Sequence, residues 1–305
     1  MGSRSLGGRR VVGFVALIFL MSAAFYTFGP SIGSLAPVTR ADLPASALMV
    51  VCPGLAAVVL IRRRHGVAGV RLWVSAACTP PRVRQFGWYA TAVFLMPLVL
   101  LVPYLGVQWT GTPLPGFSAG WSAVPVLAAL YLASSLAEEL GWSAYLTAPL
   151  RERFGALGAG AAIGVIWAAW HVVPYLQAGH NASWILWQCL FTVGLRIVLT
   201  WLWANTGGGL LAPVLGHASY NVAWTLSPDA GSQYDPAVAG PLVLAVAVLI
   251  ALLWGPATLA ERPRQRMRRA RRPAARITPR STTAGRRRPS YNASREAGTD
   301  SQEGT

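Results

Sequence analysis

Charge is scarce in this 305-residue chain, and lysine is absent altogether. Only 12% of the residues are charged, whereas a soluble domain has roughly a quarter. Apolar residues make up 54% of the chain, and the mean hydropathy is +0.45. These values exclude an ordinary soluble domain and favour a protein embedded in a membrane. Basic charge carried by arginine alone also suggests a GC-rich, bacterial source.

Cysteine is scarce as well. The three cysteines, Cys52, Cys78 and Cys189, form no CxxC pair, which argues against a disulfide framework and a cysteine-based zinc site. The net charge of +16 does not indicate a nucleic-acid partner, because 13 of the 26 arginines lie between Arg262 and Arg295. The basic charge is therefore mainly a property of the C-terminal tail.

The chain contains several long apolar stretches. Each approaches the roughly 20 residues that a helix needs to cross a bilayer, and none alternates as the strands of a membrane barrel do. The first stretch resembles a signal peptide, but its length and the lack of a good cleavage site favour an uncleaved span. We predict an all-α, polytopic membrane helix bundle with about eight transmembrane helices. The stretches lie near 11–28, 43–61, 87–107, 121–147, 156–178, 184–204, 207–227 and 238–259.

Arginine alternates between the loops that join these spans. It is frequent before the first span, in the second and fourth loops and after the last span, whereas the odd-numbered loops hold only Arg40. The positive-inside rule then predicts a multi-pass protein of the plasma membrane with both termini in the cytoplasm. Residues 1–259 would form the transmembrane domain and 260–305 an arginine-rich, disordered cytoplasmic tail. The part from Arg262 to Arg272 would either bind anionic headgroups or only anchor the topology.

A few polar side chains fall inside the predicted spans, where ionisable groups are costly and indicate function. Adjacent helical residues point about 100° apart, so two neighbouring carboxylates cannot face the same way. We expect one to face a cavity and the other to meet a neighbouring helix. At such close range in a low dielectric they should not both ionise readily, which would suit a general base. These residues are Glu138, Glu139, His171, Arg196, His217 and Asn221.

Three short motifs in this region resemble those of the CPBP family, the CAAX-protease and bacteriocin-processing (Abi) group of intramembrane proteases. They are the double Glu at 138–139, then Trp167 with His171, then His217 with Asn221. Each motif is weak by itself. Their order and their placement on predicted helices make the resemblance specific.

The resemblance implies an intramembrane endopeptidase that hydrolyses a peptide bond of a membrane-associated or lipidated peptide. Glu138 would be the general base on a water molecule, and His171 would position that water or share its proton. His217 and Asn221 would donate hydrogen bonds to the oxyanion, and Glu139 would orient the site. The expected partners are a peptide or membrane-anchored protein and the lipid bilayer.

The sequence leaves the metal question open. Glu138, His171 and His217 would supply three ligands to a zinc ion, with the fourth position left for water. A metal-free glutamate mechanism is equally compatible with the same residues.

One departure from the family pattern concerns Ser143, which stands where the motif has an arginine. In the family that arginine is thought to support the second glutamate. Glu139 would therefore either be protonated or pair with Arg196 of the sixth span. The alternatives to a protease are a non-catalytic pseudoprotease that binds a membrane partner and a small proton-coupled carrier. The absence of repeated halves argues against the carrier.

Overall fold

The helical character of the chain is confirmed throughout the part that the structure describes. Apart from one isolated β-bridge between Ser34 and Pro44, the regular structure of these residues is helical. The polytopic, all-α prediction is therefore correct. The computed structural model describes residues 2–39, 41, 43–79, 86–109, 123–227 and 234–260.

The described residues form nine α-helices. These are α1 (Gly2–Ile32), α2 (Ala36–Thr39), α3 (Cys52–Cys78), α4 (Phe86–Trp109), α5 (Val124–Glu139), α6 (Thr147–Gln177), α7 (Ala182–Asn205), α8 (Leu211–Leu226) and α9 (Pro236–Trp254). A 3₁₀ helix, Ala45–Val51, leads into α3, and a π-helical segment, Leu140–Leu146, joins α5 to α6.

Each of the eight predicted apolar stretches overlaps a described helix. Among the described residues, six helical stretches are long and apolar enough to cross a membrane. One of them, Val124–Gln177, covers most of both the fourth and the fifth predicted spans. The seventh corresponds to α8, which has only 16 residues.

Gly155 separates the fourth and fifth predicted spans. Its φ of 72° lies in the left-handed region, which glycine tolerates without strain, and the chain turns there. The N–H groups of Ala156 and Leu157 then donate to the carbonyls of Ala257 and Pro256, at 2.8 and 3.0 Å. The long part of α6 therefore begins at the same end of the bundle at which α9 ends. This arrangement agrees with the predicted topology, whose absolute orientation stays a prediction.

Helix α7 lies at the centre of the bundle. In the most apolar part of α7, 72% of the residues are buried, whereas the figure for α1 is 17%. It packs closely against α6 because Gly160 and Gly164 present no side chain to it. A Cβ on Gly164 would lie 2.8 Å from the Val193 Cα atom, which is closer than van der Waals contact allows. Small residues spaced four apart commonly permit such close helix contacts in membranes.

Several of the predicted features lie outside the described residues. The tail from 261 to 305 is one of them, and its predicted disorder and headgroup contacts stay predictions. Another is Arg40, together with residues 80–85 of the arginine-containing second loop.

Candidate active site

Glu138 and Glu139 end α5, at the point where the helix widens into the π-helical segment. Such segments often mark functional sites. This turn is braced by α3, since a Cβ on Gly141 would lie 2.5 Å from the side chain of Pro53. Both carboxylates are buried, with 3% and 0% exposure. They have different hydrogen-bond donors on their outer sides, and both lie beside His217.

The Glu139 carboxylate accepts four hydrogen bonds. Arg196 binds it with both terminal nitrogens, Nη1 to Oε2 at 2.7 Å and Nη2 to Oε1 at 2.8 Å. His217 Nδ1 contacts Oε1 at 3.0 Å, and the Ser143 hydroxyl donates to Oε2. Of the two alternatives left by the sequence, the structure contains the ion pair between Glu139 and Arg196. The carboxylate is thereby fixed in position and direction.

The Glu138 carboxylate is held on one side only. Its Oε2 accepts a hydrogen bond from the Trp167 indole at 2.7 Å and a longer one from the Trp142 indole at 3.4 Å. Its Oε1 faces His217, with the Nε2 atom 4.0 Å away. The Trp142 ring is fully buried, and its N–H also reaches the site.

His217 lies between the two carboxylates, with Nδ1 towards Glu139 and Nε2 towards Glu138. An ionised carboxylate only accepts hydrogen bonds, so the contact to Glu139 places a proton on Nδ1. In the singly protonated ring Nε2 then carries a lone pair. With a second proton, Nε2 becomes a hydrogen-bond donor.

Trp167 connects the remaining side chains. The Nδ1 atom of His171 contacts the Trp167 carbonyl oxygen at 2.9 Å, which leaves Nε2 of that ring free. The indole ring makes edge-to-face contacts with His171 and His217, at centroid distances of 5.6 and 5.0 Å. The Arg196 guanidinium lies over its face at 4.2 Å. The sequence marked Trp167 as a motif residue but gave it no role in the site.

Asn221 follows His217 by one turn of α8 and is half-buried. Its amide forms no hydrogen bond to another described residue, so it is available to a ligand. Three of the five predicted site residues, Glu138, Glu139 and His217, are thus in direct contact, and His171 joins them through Trp167. Asn221 is placed near them only by its position on α8.

The donor atoms do not fit a metal ion in this conformation. Among the described residues, no three His, Cys, Asp or Glu side chains are grouped closely enough to hold one. One oxygen of Glu138 is also occupied by an indole N–H. The predicted ligand set of Glu138, His171 and His217 is therefore not assembled, and we derive no step through a metal.

Comparison with known proteins identifies the same region. The family model for the type II CAAX prenyl endopeptidase Rce1-like group matches residues 120–223, a range that contains all five predicted site residues. The chain is also 27% identical over 144 residues to CAAX prenyl protease 2 of Methanococcus maripaludis. That match covers 43% of this chain and 51% of the relative, so the chain spans about half the length of the curated protein it matches. Residues 120–223 of this chain are thus similar to the CPBP family of proteases.

This chain departs from the CPBP motif at Ser143. The cation beside Glu139 comes from α7 rather than from the π-helical segment that carries position 143. Arg196 was recognisable in the sequence as the arginine inside a span. The small residues at Gly160 and Gly164 were the further signal that α7 approaches α6 closely at this level.

The other two histidines of the chain lie away from this site. His65 is exposed on α3. His180 lies between α6 and α7, with its ring stacked on Trp184 at a centroid distance of 3.5 Å. Burial lowers the pKa of His180 below its ordinary value.

Proposed function

We propose that this chain is an intramembrane endopeptidase of the CPBP type, which hydrolyses a peptide bond of a membrane-associated or lipidated peptide. The observation that carries the proposal is the unequal pairing of the two buried carboxylates. Glu139 accepts four hydrogen bonds, whereas one oxygen of Glu138 accepts none from the described residues and lies 4.0 Å from His217. One carboxylate is thus suited to orient the site and the other to accept a proton.

Glu138 acts as the general base in this proposal. The two indole donors fix its Oε2, so Oε1 is left to take a proton from a water molecule. His171 helps to position that water through Nε2, because its Nδ1 is bound to the Trp167 carbonyl. The water oxygen then bonds to the scissile carbonyl carbon.

The developing oxyanion is stabilised from α8. His217 in its doubly protonated form donates from Nε2, and Asn221 donates from its side-chain amide. This form balances the buried charge, since the carboxylates of Glu138 and Glu139 then face one imidazolium and one guanidinium. When the C–N bond breaks, the proton held by Glu138 passes to the leaving amine.

The location of the site supports a substrate that is anchored in the membrane. Buried residues on membrane helices suit a peptide that is itself anchored in the bilayer. The name of the archaeal relative refers to prenylated CAAX substrates, so a prenylated peptide belongs in the panel beside acylated and transmembrane peptides.

Purified full-length protein incubated with such peptides tests the proposal. We expect cleavage by the wild type, and a loss of roughly 10²- to 10⁴-fold in Glu138→Gln and His171→Ala. Ser134→Ala is the matched control, because this hydroxyl lies one turn earlier on α5 and donates to the carbonyl of Tyr131. It should retain full activity.

Other outcomes would favour the alternatives. Binding without cleavage of any peptide would indicate a pseudoprotease. Ion flux in liposomes that disappears in Glu138→Gln would indicate a carrier. Cleavage that survives Glu138→Gln would refute the assigned base.

A further inference from the structure

We propose that Arg196 is the positioning residue of this site, replacing from α7 the arginine that the CPBP motif carries at position 143. It would hold Glu139 and, through Glu139, the ring of His217. This inference rests on the proposed peptidase function, because positioning is meaningful only for a reaction.

The contacts of Arg196 leave it little freedom. Its side chain is 1% exposed, and its two terminal nitrogens both bind Glu139. Its guanidinium plane also covers the face of Trp167, the residue that anchors Glu138. Arg196 therefore supports both carboxylates, one through a direct ion pair and one through an indole ring.

Ser143 supports the same carboxylate from the other side. Its hydroxyl donates to Oε2 of Glu139, the oxygen that also accepts from Arg196 Nη1. Positions 143 and 196 thus reach one oxygen atom from two different helices. A small side chain at 143 leaves room for the guanidinium that arrives from α7.

The backbone of α6 makes this arrangement accessible. A Cβ on Gly164 would lie 3.2 Å from the Cβ of Arg196. The absence of a side chain at this position lets α7 come close enough for Arg196 to reach across Trp167 to Glu139. The cation, the small residue at 143 and the glycine on α6 form one consistent set.

An exchange of the arginine between the two positions tests the inference. Arg196→Met should lower kcat on the order of 100-fold with KM little changed, because the reacting groups are misplaced while the substrate still binds. The double variant Ser143→Arg with Arg196→Met should recover most of that loss. Ser143→Arg alone should lower activity, since two cations then compete for one carboxylate. Thr200→Val, one turn further on α7, is the control and should behave as the wild type, because its hydroxyl donates to a carbonyl of its own helix.

Unfolding temperatures of the same variants provide a readout that does not need activity. Arg196→Met should unfold at a lower temperature than the wild type, and the double variant should unfold close to the wild-type temperature. If Arg196→Met does not fold, Arg196→Lys takes its place. We then expect a smaller loss of kcat and of unfolding temperature, which Ser143→Arg should again reverse.

The inference is overturned if folded Arg196→Met keeps the wild-type kcat, or if the double variant recovers its unfolding temperature but not its kcat. A wild type that cleaves no peptide refutes the proposed function. In that case, recovery of unfolding temperature in the double variant would still support the exchange of the cation, and its absence would refute it.

Discussion

A hydrogen bond between α1 and α6 gives the sharpest prediction about stability. Pro174 has no N–H, so the carbonyl of Trp170, four residues earlier, lacks its usual helical donor. The Tyr26 hydroxyl donates to this carbonyl at 2.6 Å. Trp170 is fully buried and directly precedes His171, so this contact fixes α6 beside a candidate catalytic residue.

Tyr26→Phe removes the donor and leaves a buried carbonyl without a partner. Such a group costs about 1–3 kcal/mol. Pro174→Ala restores an N–H at the position from which the helix would normally supply it. In that background Tyr26→Phe should lower the free energy of unfolding much less. The difference between the two losses, on the order of 1–2 kcal/mol, measures the coupling between Tyr26 and Pro174.

Reversible unfolding of the four chains in detergent measures this cycle, and peptide cleavage by the same samples reports on His171. Tyr89→Phe is the matched control, because that hydroxyl is half-buried and forms no hydrogen bond to another described residue. It should change stability very little. An equal cost of Tyr26→Phe with proline and with alanine at 174 would refute the reasoning.

Two further variants test the packing and the anchoring of the site. Gly164→Ala should destabilise the protein by about 1–3 kcal/mol and lower activity, because the added Cβ would meet the α7 backbone. Gly13→Ala is the control and should not destabilise the protein, because a Cβ at Gly13 would have no atom within 4 Å. Equal unfolding free energies of the two variants would contradict the close contact. Trp167→Phe keeps an aromatic ring but removes the 2.7 Å bond to Glu138, so kcat should fall by an amount equivalent to about 1.5–3 kcal/mol. Trp224→Phe is its control, and unchanged kcat in Trp167→Phe would show that the indole does not anchor the base.

The sequence by itself determined the helical membrane bundle and most of the candidate site. Apolar stretches of about 20 residues leave few structures other than membrane helices, because lipid offers no partner to open backbone groups. Polar residues inside such stretches are costly, which is why Glu138, His171 and His217 were recognisable without an alignment. That the two adjacent carboxylates point in different directions also followed from helix geometry alone.

Only the tertiary structure decided which partner each carboxylate has. Glu139 and Arg196 are 57 residues apart, and their contact depends on how closely α7 packs against α6 at Gly164. The indole donors to Glu138 likewise depend on the π-helical turn and on the rotation of α6. Helix periodicity shows which side chains share a face, but the neighbour of that face is set by packing between distant segments. For this reason the sequence could name candidate residues for the site. Their division into one fully paired carboxylate and one partly paired carboxylate became visible only in the folded bundle.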